Sequence, residues 1–149
     1  MEKFKLSKQS ISKLDGVHPE LVKVVHRAIE LTDCDFRVLE GVRTKERQTR
    51  LVAAGASKTM NSKHLTGHAV DLAAIIDGQV RWDWPLYHQI AQAMRAAAIE
   101  LSVGIIWGGV WDTPLNKIVD TEREMAEYAA RMKAQGIKPL LDGPHFQLA

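Results

Sequence analysis

The chain has 149 residues, 46% hydrophobic and 26% charged, the composition and length of one soluble globular domain. Lys plus Arg total 20 against 18 for Asp plus Glu, a formal net charge of +2 with no block of like charges, which allows weak attraction to an anionic polymer and does not suggest a dedicated nucleic-acid groove. No run approaches the ~18 apolar residues of a membrane span, and the single Cys34 forms no internal disulfide and reads as a small buried hydrophobe.

The N-terminal Met1-Glu2-Lys3-Phe4-Lys5-Leu6-Ser7 carries charge with no apolar core behind it, so it does not read as a secretory signal. After His18, Pro19 suits the first position of a helix in which Leu21, Val24, Val25, Ala28 and Ile29 recur at helical spacing. Residues 35–40 alternate as a half-buried strand ending at Gly41. Thr44 then caps a helix through Gln48, Leu51 and Val52, stopped by Gly55. Residues 57–67 are polar and irregular, a loop. Residues 69–76 return to strand character, and Asp77-Gly78 is a two-residue hairpin signal that sends Val80-Arg81-Trp82 back as a strand.

A helix from Pro85 through Ile90, Met94, Ala97 and Leu101 is expected to close at Gly104, before a short strand Ile105-Ile106-Trp107 and a Gly108-Gly109 turn. Thr121-Glu122-Arg123-Glu124 has the form of a capping box with Thr121 at the cap, opening an amphipathic helix that stops at Gly136. Pro144 to Leu148 is a last strand. Helices beside a small, mostly antiparallel sheet make the fold class α+β in a single domain, residues 1–149.

Two of the six histidines sit where metal chemistry is expected. His64 lies on the loop just before the strand that carries Asp71, and a carboxylate among Val70, Leu72 and Ala73 is costly unless a cation compensates it. In the last strand His145 and Gln147 point one way, Phe146 and Leu148 the other. If the two strands are neighbours, Asp71 and His145 face one point and His64 folds over it. Two His and one carboxylate leave the fourth position of a tetrahedral zinc open, as a catalytic site requires. Asp142, three residues before His145 across Gly143-Pro144, is placed to act as general base on a water there. Read singly, such residues are more often a polar loop His, a hydrogen-bonded strand Asp or a turn Asp.

Ser62-x-His64-x-x-Gly67-x-Ala69-x-Asp71, followed by Asp142-x-x-His145, closely resembles the motif pair of the zinc D-Ala-D-Ala carboxypeptidase/VanY-like peptidases. Leu6-Ser7 with Ser10, Val17 to Leu21, Glu40-Gly41-Val42-Arg43-Thr44 with Gln48, and Ile106-Trp107-Gly108-Gly109-x-Trp111 resemble its phage endolysin branch, the L-alanyl-D-glutamate endopeptidases. The resemblance implies one zinc ion on His64, Asp71 and His145, with Asp142 as general base. It implies Arg43 against substrate or the developing oxyanion, a role that suits a fixed guanidinium fork, and Ser62 at the site's edge, on substrate or supporting a ligand. Trp107 and Trp111 either line the substrate groove or serve as core aromatics. His68 falls at a variable position of the motif, and His18, His26 and His88 read as surface or packing residues.

Residues 112–141 are longer than the resemblance leads one to expect, so they are read as a helical insertion that packs on the domain or walls the groove. The implied activity is hydrolysis of the L-Ala–D-Glu bond of peptidoglycan stem peptides by a monomer without nucleic-acid partner or membrane anchor. It would be synthesised in the host cytoplasm and reach the cell wall after membrane permeabilisation. A D,D-carboxypeptidase or dipeptidase with the same zinc site, and a non-catalytic peptidoglycan-binding module, are the rival readings.

Overall fold

The sheet begins from two stretches whose apolar residues alternate, and it grows outward from the longer of them. The computed structural model describes residues 4–57 and 59–149, so the first three residues and Lys58, inside the segment read as loop, lie outside the described residues. In chain order come α1 (Lys8–Lys13), α2 (Pro19–Leu31), β1 (Phe36–Glu40), α3 (Lys45–Ala53), β2 (Ala69–Ile76), β3 (Gln79–Arg81), α4 (Trp84–Leu101), β4 (Ile105–Trp107), α5 (Thr121–Ala134) and β5 (His145–Leu148). Short 3-10 turns cover Lys63–Thr66 and Leu115–Lys117. All pairings are antiparallel, in the order β1-β2-β5-β4, with β3 returning along the end of β2. This is the α+β domain expected from the sequence.

One face of the sheet makes the core. Phe36 and Val38 of β1, Val70, Leu72 and Ala74 of β2, and Phe146 of β5 are all buried there. They join one cluster with Leu21, Val24 and Ala28 of α2 and with Ile90, Met94 and Ala97 of α4. Each large side chain so buried contributes about 1.5–3 kcal/mol, which makes the sheet a stiff platform. The opposite face is left for chemistry.

The turn chemistry follows the sequence closely at the hairpin: Asp77 and Gly78 both adopt positive φ, 51° and 78°, as a two-residue turn between twisted strands demands. Three local readings are corrected and one helix is added. Helix α1 has no apolar stripe to announce it; Ser7 caps it by accepting from the Ser10 amide, and Ser10 alone is buried. The segment read as loop contains the 3-10 turn that holds His64. Helix α4 ends at Leu101, with Ser102 taking the left-handed φ of 57° instead of Gly104. At α5 the cap is Asp120, whose carboxylate accepts from the Arg123 amide. Thr121 lies one residue inside, where its hydroxyl bonds His88 Nδ1 at 2.8 Å in a buried contact joining α4 to α5.

Candidate metal centre

The register of the sheet places the site. Asp71 of β2 pairs directly with His145 of β5, and on its other side with Glu40 of β1. Strand β1 slips by one residue between Val38 and Glu40. Simple alternation would put Glu40 on the core face with Phe36 and Val38; the bulge turns it to the face that carries Asp71. Glu40, Asp71 and His145 therefore form a row across three strands.

His64 closes over that row from its 3-10 turn. Ser62 starts the turn, its Oγ accepting from the His64 amide at 3.2 Å, and Gly67 ends it at φ +76°, where a Cβ would press on the Gly16 carbonyl oxygen. His64 Nδ1–H donates to the Gly41 carbonyl at 2.8 Å, and its Nε2 is aimed at Asp71 Oδ1, 3.3 Å away. His145 mirrors it. Its Nε2–H donates to Gln147 Oε1 at 2.8 Å, and its Nδ1 lies 3.4 Å from the same Asp71 oxygen.

These atoms all want a cation. His64 Nε2 and Asp71 Oδ1 are buried with no hydrogen-bond partner, although orphaned buried polar atoms are rare. The three ligand atoms lie within 4.8 Å of one another, and a tetrahedral zinc with bonds of about 2.0–2.1 Å needs ligand edges of about 3.3 Å. The outer hydrogen bonds of both imidazoles fix the tautomers such an ion requires. Burial alone would raise the Asp71 carboxyl, but His145 and His64 outweigh it and hold it far below the usual carboxylate range. Burial pushes the His145 imidazole down, and Asp71 beside it overcomes this, so His145 holds positive charge more tightly than usual. The donor set fits one metal ion.

Arg43 stands beside this centre, its side chain 9% exposed. Its Nε and Nη2 donate to the two oxygens of Glu40 at 2.8 and 2.9 Å, Nη1 donates to Gln48 Oε1 at 2.7 Å, and Nη2 comes within 3.7 Å of Asp71 Oδ2. Gln48, fully buried, also donates to the Ser57 hydroxyl and the Thr59 carbonyl. The bidentate pair and the amide fix the guanidinium plane. Glu40 and Gln48 are functional in this positioning sense. Sequence reading assigned neither a role, although a Glu and a Gln flanking an Arg at three and five residues is the signal that was available.

Asp142 faces the same space from the turn before β5. Its amide donates to the Gly108 carbonyl at 2.8 Å, and the Gly108 amide donates to the His145 carbonyl at 2.9 Å. A Cβ at Gly108 would collide with the Asp142 carbonyl oxygen, so only glycine lets the two segments approach this closely. Trp107 is not on the groove wall. It is fully buried, and its indole N–H donates to the Gly143 carbonyl at 2.9 Å, bracing the turn from behind. Burial raises the Asp142 carboxyl, Asp71 adds to the effect, and the cationic groups around it only partly offset it.

The groove is a cavity of about 720 Å³ lined by Arg43, Ser62, His64, Asp71, Asp142 and His145 on its floor and polar side. Trp111, Tyr128 and Leu140 complete the lining. Trp111 packs on His145 with ring centroids 5.0 Å apart and donates its indole N–H to the Leu140 carbonyl at 2.8 Å. Arg131 of α5 grips Asp112 through two bonds of 3.1 and 3.0 Å. Residues 112–141 thus contribute Tyr128 and Leu140 to the cavity lining. His68 stays outside the ligand set, its Nδ1 bonded to Thr66 Oγ1; His18 caps α2.

An ion-ready triad on the floor of an open groove, with a carboxylate beside it that binds no protein donor among the described residues, is the site of a hydrolytic enzyme acting on an extended substrate, a peptidase. The chain belongs to the phage L-alanyl-D-glutamate peptidase family, whose model matches residues 2–149. It is 36% identical over 113 residues to the L-alanyl-D-glutamate peptidase of Escherichia phage T5, a match covering 73% of this chain and 82% of that one. The crystal structure of the Serratia marcescens L-Ala D-Glu endopeptidase ChiX aligns with a TM-score of 0.76 and 40% identity, over 99% of this chain and 92% of that one. The vancomycin-resistance D,D-dipeptidase VanXYg, in complex with a D-Ala-D-Ala phosphinate analogue, shares the fold at a TM-score of 0.50 and 18% identity, over 89% of this chain and 50% of that one.

Proposed function

We propose that the protein is a zinc-dependent peptidoglycan endopeptidase that hydrolyses the L-Ala–D-Glu bond of the stem peptide. The observation that carries the metal chemistry is the convergence of His64 Nε2, Asp71 Oδ1 and His145 Nδ1, with the outer nitrogen of each imidazole already bonded elsewhere. The choice of bond rests on family membership and on the relatives named for it. Zinc, when bound, supplies a Lewis acid that polarises the scissile carbonyl and brings a water's pKa to roughly 7.

The remaining work falls to the chain. Asp142 accepts the proton of the attacking water at its carboxylate and later delivers it to the leaving amine nitrogen, a role that suits a carboxyl raised above its ordinary range. Arg43, held flat by Glu40 and Gln48, directs its remaining N–H groups at the carbonyl oxygen as it gains charge. Ser62 holds the His64 turn, and Trp111 with Leu140 keeps water off the far side of the peptide. The whole chain acts as one domain and as a monomer, with residues 112–141 as a wall of the groove. It acts on the host cell wall after synthesis in the cytoplasm and permeabilisation of the membrane. No helix among the described residues is long and apolar enough to cross one.

Purified Gram-negative peptidoglycan digested by zinc-loaded and by chelated protein, followed by mass spectrometry, tests this reading. Peptides beginning at D-Glu, released only with metal, are the expected products. Peptides beginning at L-Ala would identify an amidase, and free terminal D-Ala a carboxypeptidase; either result overturns the assignment.

A further inference from the structure

The cavity holds two fixed cations that differ in what they are free to bind. Arg43 is engaged by both oxygens of Glu40, by Gln48 and by Asp71. Lys63, immediately before the ligand His64, lines the same cavity and is exposed, and its ammonium makes no ion pair among the described residues. The other charged side chains on the lining balance. Glu40 and Arg43 neutralise each other, and a divalent ion in the triad offsets Asp71 and Asp142. The charge of Lys63 is left over, on the rim beside the metal centre, where it favours an anion carried by the substrate.

The proposed substrate carries such an anion. A glutamyl residue whose nitrogen lies in the scissile bond has two carboxyl groups, of which chain continuation uses one. The other stays free, a few bonds from the nitrogen that leaves. We infer that Lys63 is a specificity-determining residue, pairing with this free carboxylate on the leaving-amine side of the bond. The inference rests on the glutamyl-peptidase reading of the site. It concerns a fixed positive charge and leaves the metal chemistry as described. A point charge on a flexible stem accepts the carboxylate in more than one pose, whereas a rigid fork would demand a single one.

Two synthetic peptides test it, alike except that the glutamyl residue bears a free carboxylate in one and a carboxamide in the other. Wild-type protein should favour the carboxylate by about two- to fivefold in kcat/KM, chiefly through KM, as expected for one solvent-exposed charge pair. Lys63→Gln should bring the ratio close to one, and Lys63→Glu should invert it, with zinc content and circular dichroism matching wild type. The wild-type preference should also shrink as salt is added. A ratio in Lys63→Gln equal to that of wild type overturns the inference and leaves the peptidase reading standing. If wild type cleaves neither peptide, both fall together.

Discussion

The two carboxylates of the groove make an instructive pair. Asp71 sits within β2, opposite His145 in register and beneath His64, with its oxygens crowded by two imidazoles and a guanidinium. Asp142 sits on a turn, anchored through its backbone to Gly108 and His145, and its carboxylate lines the cavity. Both are largely buried, yet their surroundings drive them in opposite directions: Asp71 far below the ordinary carboxylate range, Asp142 above it. The first keeps its charge permanently and suits a ligand; the second exchanges a proton and suits a base. Environments that separate two like groups in this way are what a ligand and a base would each require.

The comparison can be broken most severely from the ligand side. His64→Ala removes one of three donors and should cost both the metal and all turnover; zinc content by atomic spectroscopy checks it, and a full complement of zinc would remove His64 from the ligand set. A smaller effect is expected from Glu40→Gln, which loosens the bidentate hold on Arg43 and leaves the triad in place. It should lower kcat/KM by about 10–100-fold with zinc retained, and steady-state kinetics beside a metal assay would show whether the two losses separate.

The smallest effect is on stability. Burial pushes the Glu40 carboxyl up, but the hydrogen bonds and charges of Arg43 and Arg47 outweigh it and leave it below its ordinary value. Glu40 therefore stabilises the fold above the pKa of the unfolded chain, about 4.3, and this contribution is lost as pH falls through the lower folded value. Thermal unfolding between about pH 6 and pH 3 should show wild type losing more stability than Glu40→Gln, since every other acidic group is common to both. Parallel decline of the two would deny Glu40 that role.

How much of this was legible depends on how local the signal is. Asp71 stood out because a charge in an apolar strand needs a partner, and the motif around it named His64. Asp142 and His145 were left open by their spacing and were assigned by the resemblance of Asp142-x-x-His145 to the second motif of the family. Glu40 was hidden because a one-residue bulge reverses the face it occupies, and the bulge at Leu39 leaves no mark in the apolar pattern. The two tryptophans around Gly108-Gly109 could not be separated either. Trp107 is in register with Phe146 and goes to the core; Trp111, past the turn, meets His145. At α5, Asp120 and Thr121 were both competent caps, and a buried histidine 33 residues away drew the threonine hydroxyl elsewhere. Local chemistry proposed the site; tertiary register decided which neighbours serve it.

The division of labour between Asp71 and Asp142 is tested most directly by Asp142→Asn, with zinc content and turnover measured on one preparation. The amide keeps the shape of the side chain and cannot take up the water's proton. Zinc should stay at wild-type stoichiometry while kcat falls by about 10²–10⁴-fold, the range of a lost general base. Loss of the metal would make Asp142 a ligand, and turnover near the wild-type rate would deny it the proton; either result contradicts the assignment.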